Sequence, residues 1–217
     1  MSEHATIQAH GLLFDMDGVL LSSIGSVNRC WREWCRLTGV PDWESFEVPH
    51  GQRAIDIVRI TRPEMDPQEG LKLIEDLEVA DMDDLQVLPG VAGLLKSLPT
   101  DRWAVVTSAT RRLTIARMEA AGLPIPKNLV CAEDVLKGKP DPEPYRRGAE
   151  LLGAIPADCI VVEDAPAGLG AGLAAGSRVL AVLGTHTREE MASATWIVDT
   201  LEHVRAIVVG NNLQLSF

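Results

Sequence analysis

The sequence is short of basic residues and of long apolar runs. It has 20 Lys and Arg against 31 Asp and Glu in 217 residues, a formal net charge of −11. Proteins that bind nucleic acid neutralise its phosphates with Lys and Arg, so we expect no nucleic-acid partner. The longest uncharged, largely apolar run, residues 165–177, is thirteen residues long. A helix that spans a membrane needs about 20, so we expect no membrane association.

Cysteine is also scarce, and its positions show no pairing pattern. The sequence has neither a CxxC motif nor the density of a disulfide scaffold, so the thiols are predicted to be reduced and mostly buried. The N-terminal residues show no basic segment followed by a cleavable apolar one, which makes the cytoplasm the expected location. The cysteines are Cys30, Cys35, Cys131 and Cys159.

Short apolar runs recur at long intervals and predict strands. Between the later runs the apolar residues have helical spacing, as at Leu113, Ala116 and Ala120. Near-continuous apolar strands that alternate with helices predict an α/β fold, a Rossmann-like, doubly wound parallel sheet covered on both faces. The predicted strands are residues 11–14, 103–107, 128–131, 159–162 and 178–183.

The interval between the first two predicted strands is too long for a simple crossover and too apolar for a loop. Apolar residues recur there at spacings of three and four, which predicts amphipathic helices. We therefore predict an all-helical cap at residues 21–87, inserted into a core domain made of residues 1–20 and 88–217. The cap segment has an excess of acids, which we assign to a solvated outer face. Its tryptophans are assigned to packing rather than to contact with a ligand; they are Trp31, Trp34 and Trp43.

The first strand ends in two aspartates, Asp15 and Asp17, followed by Gly18. Residues two apart in an extended segment point the same way, so both carboxylates can project at the carboxyl edge of the sheet, where open α/β folds bind ligands. The same letters also begin calcium-binding loops. Val19 and Leu20 occupy positions where such loops need oxygen ligands, so calcium is disfavoured.

The later strands also end in polar residues. Thr107 and Ser108 precede a predicted helix and can form a phosphate cradle, although for an isolated pair a helix N-cap is the better interpretation. Prolines around Lys139 stiffen its loop and can fix the direction of one lysine, although for this stretch alone a solvent-exposed basic turn is the better interpretation. Glu163 and Asp164 add negative charge at the end of the fourth strand.

Asp-x-Asp, Thr-Ser, Lys and Glu-Asp, in this order, form a combination far more specific than any one member. The chain resembles the haloacid dehalogenase (HAD) superfamily of phosphohydrolases over about residues 11–184. The predicted cap is similar to the helical cap of its subfamily I. Among these enzymes the chain looks like the sugar and polyol phosphatases, of the 2-deoxyglucose-6-phosphatase and glycerol-phosphatase kinds. The matching motifs are residues 15–19, 105–108, 138–140 and 162–168.

The resemblance implies a phosphatase that acts on a small phosphorylated metabolite through an aspartyl-phosphate. It makes Asp15 the nucleophile and Asp17 the acid that protonates the leaving oxygen and the base that then activates water. Lys139 would link the phosphate to the nucleophile, and Thr107 and Ser108 would hold the phosphoryl oxygens. We predict a monomer or weak homodimer.

The resemblance also implies Mg²⁺ as cofactor. Its ligands would be the Asp15 carboxylate, the Asp17 carbonyl and Asp164, with Glu163 helping directly or through water. Positive charge is needed on physical grounds too. A carboxylate that approaches a phosphate dianion is repelled by about 8 kcal/mol at 4 Å and an effective dielectric of 20.

The cap is expected to select the substrate. The segment from Pro49 to Arg53, which includes His50, matches a glycine-and-arginine segment that faces the active site in similar enzymes. Arg53 is therefore a candidate to bind substrate hydroxyls or a second anion, with a surface arginine at a helix start as the alternative.

Other functions remain open. A β-phosphoglucomutase-like phosphoryl transferase carries a cap histidine where this chain has Val27, and valine cannot transfer a proton. A dehalogenase does not use an acid and base such as Asp17, so that activity is disfavoured. The phosphonate-cleaving branch needs a cap lysine, and Lys72 is a poor match to its position. A non-catalytic phosphate-binding sensor groups similar residues in about half this length and without a cap. Many relatives have Asp in place of Ser22, which bears on cap hinging more than on chemistry.

Overall fold

The computed structural model describes residues 7–217. Within this range the helices are α1 (Ile24–Thr38), α2 (Ala54–Thr61), α3 (Pro67–Ala80), α4 (Val91–Ser97), α5 (Arg111–Ala120), α6 (Glu143–Leu151) and α7 (Pro166–Ala175). The strands are β1 (Ile7–Ala9), β2 (Gly11–Phe14), β3 (Leu21–Ser22), β4 (Gln86–Val87), β5 (Trp103–Val106), β6 (Leu129–Val130), β7 (Cys159–Glu163), β8 (Arg178–Val182), β9 (Trp196–Val198), β10 (Arg205–Val209) and β11 (Asn212–Ser216).

A parallel sheet forms the centre of the molecule, with strand order β6-β5-β2-β7-β8-β9. Five of its strands are those that the apolar runs predicted, with ends that agree or differ by one residue. The predicted α/β fold with a doubly wound parallel sheet is therefore confirmed. Strand β2 lies between β5 and β7, so the ends of these three strands meet in the middle of the carboxyl edge.

Side chains from the central strands alternate between two apolar cores, one on each face of the sheet. In β7, Ile160 and Val162 belong to one core, while Cys159 and Val161 belong to the other. Strands that are buried on both faces read as continuous apolar runs, which is why they were visible in the sequence. All four cysteines are buried and free of disulfides, as predicted.

Residues 21–87, which we call the insert, contain α1, α2 and α3 around an apolar core of their own. Trp34 is fully buried and Trp31 is 3% exposed in that core. The chain enters and leaves the insert through a short antiparallel ribbon in which Leu21 pairs with Val87. The insert is thus helical apart from this ribbon.

The acids of the insert do not all lie on a solvated outer face, and that expectation is wrong for α3. Glu75 and Asp76 accept hydrogen bonds from Arg112 Nη1 at 2.8 and 2.6 Å, and Glu78 accepts one from Arg117 Nη2 at 3.2 Å. Both arginines belong to α5 of the core. Because α3 packs along α5, part of the acidity of the insert faces basic residues of the core.

Several strands were absent from the sequence-based prediction. Strand β9 extends the main sheet, and β1, β11 and β10 form a separate antiparallel sheet. In β11 the buried Leu213 and Leu215 alternate with Asn212 and Gln214. This period-two pattern has only two apolar residues, too few to form an apolar run. Across residues 7–217, no helix has the length and apolar character to cross a membrane.

Candidate active site

The carboxyl edge of the sheet brings the predicted catalytic residues together. Asp15 follows β2 directly, and its backbone N–H donates to the carbonyl of Val162 in β7 at 3.0 Å. Thr107 follows β5 on the other side, and Asp164 follows β7. Parallel neighbours end at the same edge, so residues distant in sequence become neighbours there.

Lys139 is buried at the centre of this group. Its Nζ donates to Asp15 Oδ1 at 2.6 Å, to Glu163 Oε1 at 2.7 Å and to the carbonyl of Val106 at 3.0 Å. These three bonds use all the donors of an ammonium group. Burial alone would lower the pKa of Lys139, but the charges of Asp15 and Glu163 outweigh it and raise the pKa. The lysine is therefore held in its charged form.

Glu163 holds Lys139 in place. Besides the lysine, its Oε1 accepts the hydroxyl of Tyr145 at 2.6 Å, and its Oε2 accepts the backbone N–H groups of Asp164 and Ala165 at 3.1 and 3.2 Å. Gly168 gives it room, because a Cβ there would overlap the carboxylate. Both oxygens of Glu163 are thus engaged by donors of the chain.

Asp15, Glu163 and Asp164 form a buried acidic group in which one oxygen from each lies within 4.8 Å of the others. Burial raises the pKa of Asp15 to about 7, although Lys139 acts in the opposite direction. Burial, followed by the charges of Glu163 and Asp15, also raises the pKa of Asp164 well above its usual range. Hard carboxylate oxygens that repel one another fit a hard divalent cation such as Mg²⁺.

Asp164 can approach this group closely because Gly18 faces it. Gly18 has φ +83°, in the left-handed region, and a Cβ on it would overlap the Asp164 carboxylate. Asp164 Oδ2 accepts the hydroxyl of Thr185, which follows β8. Since Glu163 is already fully hydrogen-bonded, Asp15 and Asp164 are the carboxylates of the group best placed to bind a cation.

The Asp17 carboxylate lies outside the acidic group and lines the cavity between the core and the insert. Its Oδ1 accepts the Ser23 hydroxyl at 2.6 Å, and its Oδ2 accepts Arg117 Nη1 at 2.8 Å. With its side chain 31% exposed, Asp17 is the more accessible of the two aspartates of the first motif.

Thr107 and Ser108 line the same cavity. Thr107 Oγ1 accepts the backbone N–H of Ala109 at 3.1 Å, which fixes the turn before α5. The Ser108 hydroxyl donates to the carbonyl of Gly51 in the insert at 2.7 Å. The helix N-cap is Thr110, whose side chain accepts the N–H of Leu113, so Thr107 and Ser108 are not the capping residues.

Arg53 is not brought into this group and does not line the cavity between the core and the insert. It begins α2, and its side chain is 11% exposed. Its Nε donates to Asp56 at 2.7 Å and its Nη1 to the carbonyl of Val135 at 3.1 Å. The guanidinium thus ties the insert to the loop that carries Lys139. A substrate-binding role for Arg53 stays a prediction.

Four residues of this site were not predicted from the sequence, namely Ser23, Arg117, Tyr145 and Thr185. Thr185 was detectable as a polar residue after a strand, like the others. Arg117 follows Leu113 by four positions and so lies on the buried face of an amphipathic helix, where an arginine is unusual. The contacts of Ser23 and Tyr145 had no local pattern to reveal them.

Comparison with known proteins agrees with this geometry. The model of the haloacid dehalogenase-like hydrolase family matches residues 10–176. Hexitol phosphatase A of Escherichia coli (strain K12) is 37% identical over 203 residues, which cover 91% of this chain and 94% of that protein. Glycerol-1-phosphate phosphohydrolase 2 of Saccharomyces cerevisiae is 32% identical over 192 residues, 83% of this chain and 77% of that protein.

Solved structures give the same fold. A hydrolase from Pseudomonas syringae superposes with a TM-score of 0.78 at 23% identity, covering 88% of this chain and 94% of that one. A β-phosphoglucomutase from Clostridium difficile gives 0.74 at 20% identity, with coverage of 91% and 93%. At such identities the likeness concerns the fold alone.

Proposed function

This chain belongs to the haloacid dehalogenase-like hydrolases and is a phosphoric monoester hydrolase, and on that premise we propose that it hydrolyses small sugar or polyol phosphates through a phosphorylated Asp15. One observation carries the proposal: Asp15 and Asp17 border one cavity, Asp15 bound to a buried lysine and Asp17 with 31% of its side chain exposed. This division suits a nucleophile and an acid.

In the first step, an Asp15 carboxylate oxygen attacks phosphorus and the bond from phosphorus to the substrate oxygen breaks. The proton of the Asp17 carboxyl passes to that oxygen, so the leaving group departs as a neutral alcohol. Lys139 keeps Asp15 oriented and offsets the charge that builds up on the phosphoryl group. Thr107 and Ser108 border the same space and can donate to the phosphoryl oxygens.

In the second step, a water oxygen attacks phosphorus and the bond to Asp15 breaks. The water proton passes to Asp17, which has become a carboxylate in the first step. Inorganic phosphate leaves and both aspartates return to their starting forms. One carboxyl therefore acts as acid and then as base, which requires it to reach the same side of the phosphorus in both steps.

We propose Mg²⁺ as the cofactor, held by Asp15 and Asp164. When bound, it would supply the positive charge that lets an anionic nucleophile meet a phosphate dianion. The raised pKa values of both carboxyls support this assignment, because burial and then the charges of neighbouring acids raise them, and a divalent cation would offset both. Glu163 would act at one remove, by holding Lys139.

The cavity favours a leaving group without charge. Glu75 and Glu78 line it. Among residues 7–217, Arg117 is the one arginine that lines it, and its guanidinium is already paired with Asp17 and Glu78. Burial lowers the pKa of His50, and the charge of His186 lowers it further, so the imidazole is favoured in its neutral form. A second phosphate or a carboxylate would face these acids without an unpaired cation among the described residues that line the cavity. Hydroxyls can instead bond to Gln52 and His50. The phosphatases named above as relatives fit this class.

A phosphoryl transferase of the mutase kind is the alternative. Val27 lines the cavity and has no proton to transfer. Glucose 1,6-bisphosphate added to the assay separates the two, because a mutase transfers phosphate to a second sugar whereas a phosphatase releases it.

The test is release of inorganic phosphate with Mg²⁺ from glycerol 1-phosphate, hexitol phosphates and 2-deoxyglucose 6-phosphate, against fructose 1,6-bisphosphate and 3-phosphoglycerate as charged competitors. We expect turnover of the neutral-alcohol esters and its loss in Asp15→Asn. Asp199→Asn, whose side chain is 80% exposed, is the matched control and should keep full activity. Turnover that survives in Asp15→Asn would overturn the nucleophile assignment.

A further inference from the structure

Arg117 joins the candidate acid and base to the insert. Its Nη1 lies 2.8 Å from Asp17 Oδ2, and its Nη2 lies 3.2 Å from Glu78 Oε1 on α3. We propose that Arg117 is a positioning residue that holds the Asp17 carboxylate for proton transfer, and that Glu78 of the insert fixes Arg117 in turn. The inference rests on the proposed function, in which Asp17 is the proton donor and acceptor.

Stability alone does not account for this arrangement. The side chains of Arg117 and Glu78 are 3% and 7% exposed, and removing charges from water costs more than such a pair usually returns. An apolar pair of similar volume would pack α3 against α5 at lower cost. The arginine is also shared between two acids, the buried Glu78 and the 31% exposed Asp17, so one negative charge is left over. A charged contact on the apolar face of α5 therefore points to a role other than packing.

The contacts fix the direction of Asp17. Its two oxygens accept different donors, Ser23 at the start of α1 and Arg117 on α5. A carboxylate with both oxygens held has lost the rotation about its side-chain bonds that would otherwise move it away from the leaving oxygen. General acid catalysis requires the donor within hydrogen-bond reach of the oxygen that it protonates. Arg117 thus sets the geometry on which the first step depends.

Glu78 extends this control to the insert. It is the point where α3 touches the guanidinium, and α3 meets the core along α5. When the insert packs as in this structure, Glu78 occupies one edge of the guanidinium and turns the other edge towards Asp17. Closure of the insert over a substrate would therefore complete the acid and base at the same moment as it covers the cavity.

The experiment compares two substrates that differ in their need for an acid. The leaving oxygen of an alkyl phosphate must be protonated as the alcohol departs. The p-nitrophenolate of p-nitrophenyl phosphate departs without a proton. We expect Arg117→Met to lower kcat/KM for the alkyl ester by on the order of 100-fold and that for the aryl ester by less than about tenfold, with KM little changed. Asp17→Asn should show the same preference, and Arg117→Lys should restore part of the loss.

Arg112→Met is the matched control. Arg112 lies on the same helix and pairs with Glu75 and Asp76 of the insert, but it does not touch Asp17. The ratio of the two kcat/KM values should stay at the wild-type level in this variant. Glu78→Gln, which removes a charge and keeps the shape, should shift the ratio in the same direction as Arg117→Met, by less.

The outcomes separate the two hypotheses. Equal losses on both esters in Arg117→Met and Glu78→Gln would overturn the positioning role and leave a structural one. A gain of activity would overturn it as well, since it would mean that Arg117 restrains Asp17. Wild-type protein that hydrolyses neither ester, or Asp15→Asn that remains active, would refute the proposed function itself.

Discussion

Lys139 Nζ lies 2.6 Å from Asp15 Oδ1, and the two side chains are 0% and 7% exposed. Two opposite charges removed from water in this way are costly to separate, because each would be left buried without a partner. The pair therefore holds the nucleophile oriented before a phosphate arrives.

Replacing the lysine tests this pairing. In Lys139→Met, Asp15 and Glu163 are left facing each other without a cation, so we expect the free energy of unfolding to fall by roughly 3 kcal/mol at pH 7. We expect kcat/KM to fall by on the order of 1000-fold. Urea unfolding and a phosphate-release assay measure the two effects. Lys137→Met is the control, because Lys137 is 76% exposed, and neither value should change appreciably. A fully active Lys139→Met would contradict the assignment.

Asp164 is predicted to destabilise the metal-free protein and to add stability only when a cation is bound. Burial and the charges of Glu163 and Asp15 raise its pKa, so Asp164→Asn removes a repelled charge and should raise the Tm of the metal-free protein by a few degrees. With Mg²⁺ at about 100 times its Kd, the free energy of unfolding of the wild type should rise by about 2.7 kcal/mol, and that of the variant should change little. Scanning calorimetry with Mg²⁺ and with excess chelator measures both shifts. An equal response of the two proteins to Mg²⁺ would exclude Asp164 as a ligand.

Gly18 is predicted to be irreplaceable for a reason that goes beyond its backbone. Gly18→Ala forces a Cβ against the Asp164 carboxylate, so metal-dependent activity should fall roughly 10–100-fold. Gly176→Ala is the matched control: its φ is +92° and nothing lies within 4 Å of the added Cβ. Both variants should lose about 1 kcal/mol of stability from the left-handed backbone, but only Gly18→Ala should lose activity. Similar activities would show that the close approach is unimportant.

Stability should depend on pH through Glu78. Burial raises the pKa of Glu78 from 4.5 to about 7. The charge of Arg117 acts in the opposite direction, and the charges of Asp17 and Glu75 add smaller increases. At a pH between these two values, the folded chain keeps a proton on Glu78 that the unfolded chain has lost. The contribution of this group to the free energy of unfolding therefore falls as pH rises through that window. Relative to Glu78→Gln, the free energy of unfolding of the wild type should fall by on the order of 2 kcal/mol between pH 4.5 and 7. Urea unfolding of both proteins measures it; a constant difference would contradict the shift.

The core of the site was predictable because it depends on local order in the sequence. A run of apolar residues sets each strand, and the polar residues that follow are carried to one edge by parallel pairing. Asp15, Thr107 and Asp164 meet for that reason alone. Strand β11 was not predictable in this way, because Leu213 and Leu215 are its only buried apolar residues.

The sequence by itself determined the parallel sheet, the helical insert and the order in which Asp15, Thr107, Lys139 and Asp164 reach the carboxyl edge. Apolar periodicity and strand ends encode these features locally. Only the tertiary structure decided that Arg117 meets Asp17, 100 positions away in the chain, and Glu78, 39 positions away. It also decided that acids of the insert face the core. The contacts with the acids of the insert depend on how α3 packs along α5. No local pattern specifies the partner that a buried charge will find.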